Sequence, residues 1–348
     1  MSEATTAGAS CPLPRDPVDC VTLAHGGGGR LMQRLIADVF AAHLGTDTGH
    51  DGAVVCAGGA RLVTTTDAFV VRPLFFPGGD IGALAVHGTV NDLAMCGARP
   101  LALTAAFIIE EGYAVADLER IVRSMAAAAA AAGVQVVSGD TKVVERGHGD
   151  GVYITTAGIG LVEHAQDIHP RAVRDGDVLI VSGDLGRHGM AVMCARENLH
   201  TEPPIASDQQ NLWPAVAALL AASVELHCLR DLTRGGFATC AVEIAQSAKL
   251  DIAIDEAALT VIAPVAAACE LLGLDPLYVA NEGRFLAIVP ATDAERALAI
   301  LRSLPAGRRS SIAGHIGPGT DGRVRLHTRL GTSRHIAMLS GAQLPRIC

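Results

Sequence analysis

Arg61-Leu62-Val63-Thr64-Thr65-Thr66-Asp67, then Phe69-Val70-Val71-Arg72-Pro73, then Ile81-Gly82-Ala83-Leu84-Ala85-Val86-His87-Gly88-Thr89-Val90-Asn91-Asp92-Leu93-Ala94-Met95, is the stretch that decides the fold. The first block has the β-branched character of a strand running into Asp67, and the second continues extended to Pro73. The third has helical spacing, which places Ile81, Ala85, Gly88 and Asp92 on one face. Strand and helix go on alternating: strand at Leu103 to Ile109, helix at Asp117 to Ala132, a buried-looking strand at Val134 to Val137 ending in Ser138-Gly139-Asp140-Thr141-Lys142, and a long strand at Val152 to Val162. Such alternation predicts an α/β domain.

Glu163 to Asp177 is polar and turn-rich, a natural boundary, and the pattern beyond it repeats in kind. Strands are expected at 178–181, 285–289, near 310–316 and at 323–327, and helices at 187–198, 211–222, 237–248, 261–272 and 293–303. The expected organisation is an N-terminal extension at 1–20 without order, a first domain at 21–164, a second α/β domain at 165–339 and a mobile tail at 340–348.

Composition narrows the function. The chain has 348 residues, half of them hydrophobic, with a net charge of -9 and only 3% aromatic residues. No dense basic run and few stacking rings argue against nucleic acid or an anionic membrane as partner. Nine scattered cysteines without a C-x-x-C pair suggest neither disulfides nor zinc; Cys96, Cys194 and Cys240 read as small core residues. Met1 to Ser10 lacks the apolar run of a signal peptide, so the cytoplasm is the expected compartment.

Three features can carry chemistry. Gly26-Gly27-Gly28-Gly29 opens onto an apolar-periodic helix from Leu31 to Phe40, which suits either a phosphate cradle or a flexible linker. Asp51, Asp67, Asp92 and Asp140 recur where elements end; together they suit Mg²⁺ shared with nucleotide phosphates, and singly they suit turn caps. Lys142 and His148 can hold a transferring group and move a proton or sit as solvated loop residues, and Glu282 in Asn281-Glu282-Gly283 can line a cleft or cap a turn. The chain then ends on a thiol, in Leu344-Pro345-Arg346-Ile347-Cys348. Behind Ser340-Gly341-Ala342-Gln343 as a hinge, that end is either a nucleophile on a lever of roughly 30 Å or a frayed terminus.

Thr65 to Gly82, Val90-Asn91-Asp92-Leu93-Ala94-Met95-Cys96-Gly97-Ala98 and the terminal Pro345-Arg346-Ile347-Cys348 resemble the HypE family of hydrogenase maturation factors. That family belongs to the superfamily of aminoimidazole ribonucleotide synthetase, selenophosphate synthetase and thiamine-monophosphate kinase. The resemblance runs from about residue 21 to the end, and the last four residues are its most specific part. It implies a homodimer whose N-terminal domains join their sheets, with ATP and Mg²⁺ beside that interface. It also implies that a carbamoyltransferase, HypF, loads the terminal thiol, that the S-carboxamide is dehydrated to a thiocyanate, and that cyanide passes to iron on a HypC–HypD complex for the [NiFe]-hydrogenase centre. Carried over by residue, the thiol is Cys348, the metal aspartates are Asp51, Asp67, Asp92 and Asp140, and the groups around the modified tail are Lys142, His148 and Glu282. Two other readings stay open: a different superfamily enzyme making a phosphorylated small molecule, and a non-catalytic carrier in which Cys348 only holds the group.

Overall fold

The computed structural model describes residues 20–45, 49–339, 341 and 344–348. The 1–20 extension and the 340–343 hinge therefore fall almost wholly outside the described residues. The first half contains helix α1 (Arg30–Leu35), a π-helical stretch (Ile36–Ala41), α2 (Ala42–Leu44), strands β1 (Ala53–Ala57) and β2 (Ala60–Phe69), and the two-residue strands β3 (Phe75–Phe76) and β4 (Gly79–Asp80). It continues with α3 (Ile81–Met95), β5 (Ala98–Glu110), α4 (Val115–Ala132), β6 (Gln135–Val144) and β7 (Val152–Val162). The second half contains β8 (Asp177–Val181), α5 (Arg187–Arg196), α6 (Trp213–Ala221), β9 (Cys228–Asp231), α7 (Gly236–Ala248) and β10 (Asp251–Asp255). After these come α8 (Ala263–Leu272), β11 (Phe285–Pro290), α9 (Ala294–Ser303), β12 (Ser311–Gly317), β13 (Val324–His327) and β14 (Ser333–Ile336).

Each half builds one mixed sheet, so the expected α/β architecture is present. The first sheet runs β1-β2-β7-β5-β6, with only β5 and β6 parallel and α4 crossing between them. The second runs β14-β13-β10-β12-β8-β11-β9, with β10 and β13 as its parallel pair. Strands β1, β9, β10 and β14 were not expected from the sequence; each has four or five residues, too short for a clear period.

Helix α3 is the element both halves share. Asp80 caps it, its Oδ1 accepting from the Gly82 and Ala83 amides at 2.7 and 3.1 Å. Nearly every residue of α3 is buried, because it packs on β2, β7 and β5 on one side and on α4, α6 and β9 on others. Gly88 lets it approach β2: a Cβ there would stand 2.8 Å from Phe69 Cζ and 3.4 Å from Asp67 Oδ2. Cys96, Cys194 and Cys240 are buried core residues, as expected.

One expectation is corrected. The strand expected at Val134 to Val137 runs from Gln135 to Val144, so Asp140 and Lys142 lie within it, and it is exposed along almost its whole length. It forms the sheet edge, and α4 buries Val134 at its entry and leaves the strand itself open. In this structure residues 344–348 of the expected tail are docked, with Ile347 only 3% exposed among residues of the α3 core cluster.

Enlarging the α3 contact tests this packing. Gly88→Val should lower stability by about 1–3 kcal/mol, because Phe69 must leave its position. A urea midpoint equal to that of the parent chain would show that β2 and α3 are not closely apposed.

Candidate active site

A cleft of about 600 Å³ lies between the two halves. Six acidic side chains line it, each from a different element. Asp51 precedes β1, Asp67 lies in β2, Asp92 on the last turn of α3, Asp231 at the end of β9, Glu243 on α7, and Glu282 in the segment leading to β11. Asp51, Asp92 and Asp231 each present an oxygen within 4.8 Å of the others. The first half thus brings three of the carboxylates and the second half three.

Buried like charges are costly, and the titration of the set records it. Burial raises Asp51, and Arg230 opposes the rise through a 2.9 Å contact from its Nε to Asp51 Oδ1. Burial also raises Asp67, against the pull of Arg234. Asp92 is pushed well up by burial and then by Asp67, Asp231 and Asp51, although Thr65 Oγ1 donates to its Oδ2 at 2.7 Å. Asp231 is pushed to about 8 by burial and Asp51. Glu282 stands well above the usual carboxylate range through burial and Asp231, and its Oε1 is buried without a hydrogen-bond partner.

The same cleft receives the end of the chain. Cys348 lines it, with a thiol pushed up to about 12, first by burial, while Arg234 pulls the other way. The Cys348 sulfur is in turn the strongest influence raising Arg234. Arg230 also bonds Glu243 at 2.7 Å and braces the carboxylates from behind. His50 orients Asp51: its Nδ1 accepts the Asp51 amide at 2.9 Å, and burial together with Arg230 lowers its pKa to about 3, so it is neutral.

Of the residues singled out in the sequence, Asp51, Asp67, Asp92, Glu282 and Cys348 meet here. Of the four glycines, Gly28 lines the cleft. With φ +74° and Arg234 O 2.8 Å from where a Cβ would stand, it must be glycine, and it packs the N-terminal segment onto Arg234. Gly29 packs against Leu339, Gly27 ends a 3₁₀ turn, and Gly26 has nothing within 4 Å of a Cβ position. Asp140, Lys142 and His148 do not reach the site within one chain. All three are exposed, and Lys142 pairs with Asp140, holding its carboxyl below the usual range. β6 is three strands from β2, roughly 14 Å across the sheet.

Asp231, Arg230, Arg234 and Glu243 belong to the site and were not singled out. The available signal is Asp231-Leu232-Thr233-Arg234-Gly235-Gly236, an aspartate at a strand end before an arginine and a glycine pair.

The fold and cleft define a class. Residues 49–162 match the family model of the AIR synthase related protein N-terminal domain, and residues 174–327 that of the C-terminal domain. The carbamoyl dehydratase HypE of Azotobacter vinelandii is 51% identical over 331 residues, covering 94% of this chain and 97% of that protein. Two solved structures are similar throughout. A hydrogenase maturation protein HypE in complex with ATP has TM-score 0.81 and 43% identity, covering 94% of this chain and 100% of that one. A HypE–HypF complex has TM-score 0.82 and 44% identity, covering 88% and 99%. The chain belongs to the carbamoyl dehydratase HypE family.

The crowded carboxylates carry a pH signature. Asp231 keeps its proton in the folded chain up to about pH 8, whereas an unfolded aspartate releases it near 3.9. Its contribution to stability is therefore full at acid pH and is lost as pH rises towards 8. In chelating buffer the unfolding free energy from urea titration should fall between pH 5 and 8, by on the order of 1 kcal/mol per pH unit at most. Asp231→Asn should flatten that fall, and an unchanged slope would rule out the crowding.

Proposed function

We propose that the chain is an ATP-dependent S-carbamoyl-cysteine dehydratase whose substrate is its own C-terminus. The observation that carries this reading is the position of Cys348, in the cleft that also holds the Asp51, Asp92 and Asp231 group. The reaction is R–S–C(=O)–NH₂ + ATP → R–S–C≡N + ADP + phosphate. The carboxamide oxygen leaves with the phosphate and both N–H protons are lost.

The donor set fits Mg²⁺, a hard ion that takes carboxylate oxygens. Asp51, Asp92 and Asp231 would hold it, with Asp67 beside them, and Asp51 Oδ2 is buried without a hydrogen-bond partner. When bound, ATP with Mg²⁺ supplies the phosphoryl group that turns the carboxamide oxygen into a leaving group. The chain's own residues do the rest. Arg234 balances charge near the sulfur. Glu282, whose Oε1 is unengaged, takes the proton from nitrogen. Burial excludes bulk water, so elimination competes well with hydrolysis.

Asp140, Lys142 and His148 fit this reading only through a second copy. The face of the first sheet turned away from α3 carries exposed Val55, Ile108 and Ile159, at 50%, 42% and 48%, on the same side as Asp140 and Lys142. A homodimer joining those faces would cover them and carry the β6 residues of one copy towards the cleft of the other. Mixing Lys142→Ala with Cys348→Ser chains tests this. Thiocyanate should form on the Lys142→Ala chain only after mixing; none after mixing would leave Lys142 without a role in trans.

For the cycle, the reading places a HypF-type carbamoyltransferase upstream and a HypC–HypD complex as cyanide acceptor, in the cytoplasm. Among the described residues no helix is long and apolar enough to cross a membrane. Intact mass spectrometry after incubation with HypF, carbamoyl phosphate and ATP should show a carbamoyl adduct on Cys348 that loses one water. Asp92→Asn should keep the adduct and lose its dehydration by at least about a hundredfold. Thiocyanate formed at the parent rate in Asp92→Asn would favour a carrier.

A further inference from the structure

The last four residues are held by their backbone oxygens, and every one of them is engaged. The Pro345 carbonyl accepts from Arg196 Nη1 at 2.8 Å, and the Arg346 carbonyl from Arg196 Nη2 at 2.7 Å and the Arg72 amide at 3.2 Å. The Ile347 carbonyl accepts from His188 Nε2 at 2.8 Å, and the terminal oxygen of Cys348 from the Val70 amide at 2.9 Å. Arg196 is itself fixed by the Arg72 carbonyl, at 2.9 Å to Nε and 2.6 Å to Nη2.

His188 is fully buried, and its tautomer follows from its partners. A carbonyl can only accept, so Nε2 carries the proton, and Nδ1 accepts from the Ser207 hydroxyl at 2.8 Å. Burial lowers its pKa and keeps the ring neutral. Phe76 packs edge-on against it at 5.4 Å between centroids.

Arg346 sits in the left-handed region at φ +53°, which costs on the order of 1 kcal/mol for a residue with a Cβ. That turn drops Ile347 into the apolar cluster and sends the Arg346 side chain to the Val70 carbonyl at 3.0 Å and to Asp150. Partners therefore come from the 70–72 segment, the 150 loop and the two ends of α5.

We infer that Arg196 and His188 form a latch that holds the terminal tetrapeptide, and that they are positioning residues for Cys348. This rests on the reading of Cys348 as a tethered substrate. The hydrogen bonds of the latch go to carbonyl oxygens of Pro345, Arg346 and Ile347 and not to the Cys348 sulfur. It therefore holds the free thiol and the loaded thiol alike. Loading needs the tail out and dehydration needs it in, so the latch sets the balance between the half-reactions.

The test begins without ATP or partner. Carbamidomethylation of Cys348 by iodoacetamide, followed by chymotryptic peptide mapping, reports the undocked fraction, with the buried Cys228 and Cys240 as controls for general opening. Arg196→Ala should speed alkylation of Cys348 at least about tenfold and leave Cys228 and Cys240 protected. Arg196→Lys, which lacks the planar fork, should recover only part of the loss. In single-turnover assays Arg196→Ala should load at the parent rate or faster and dehydrate the preloaded carboxamide at least about tenfold more slowly.

Unchanged alkylation at Cys348 overturns the latch. Faster alkylation with unimpaired dehydration overturns the positioning role. If Arg196→Ala also exposes Cys228 and Cys240, the surface variant Asp150→Asn, which frees Arg346, decides by the same criteria. A parent chain that never dehydrates a loaded Cys348 would defeat the functional reading and leave the alkylation result standing.

Discussion

Six crowded carboxylates facing two arginines are the constraint on which the rest of the structure depends. Taken separately, each of these groups would prefer water or a proton, and their raised affinity for protons shows how strongly they are confined. What confines them is packing. α3 is buried on nearly all sides between the two sheets, so Asp92 is held facing the cleft, and Gly88 brings Asp67 up against the same helix. The second half closes the group with Asp231 and Glu282, and it also supplies Arg230 and Arg234, which keep the charge tolerable. A cavity of this kind favours a divalent cation and a phosphoryl group in transit. Few other ligands offer so many carboxylates what they lack.

The docked tail follows from the same frame. A terminal thiol held among carboxylates is kept protonated, and that suits a group that is carried and chemically processed more than a free nucleophile. The contacts that hold it avoid the sulfur and use backbone oxygens, whose geometry does not change when the sulfur is modified. The residues proposed for catalysis and those proposed to hold the arm are thus separate sets: aspartates, Glu282 and Arg234 inside the cleft, and Arg196, His188 and Asp150 around the arm.

Much of this was legible in the sequence, for identifiable reasons. Helix α3 and strand β7 have the limits expected, because each is a long, clearly patterned run. Asp51, Asp67, Asp92 and Glu282 were recognisable as acidic residues at element ends. The same reasoning also selected Asp140 and passed over Asp231, since both are aspartates in similar local settings. What separates them is sheet order, which puts β6 at an open edge and β9 against α3, and no local pattern encodes that order. Lys142 and His148 went the same way as Asp140. Arg196 and His188 were invisible for a further reason: they recognise main-chain atoms some 150 residues away, and carbonyl oxygens have no sequence signature.

The central claim is that the carboxamide on Cys348 loses its oxygen to phosphate inside this cleft. Loading Cys348 with an ¹⁸O-labelled carboxamide and adding ATP under single-turnover conditions tests it most directly. The account predicts one ¹⁸O atom in the inorganic phosphate released, in step with loss of one water from the mass of the loaded chain. Label appearing in water, with unlabelled phosphate, would contradict it.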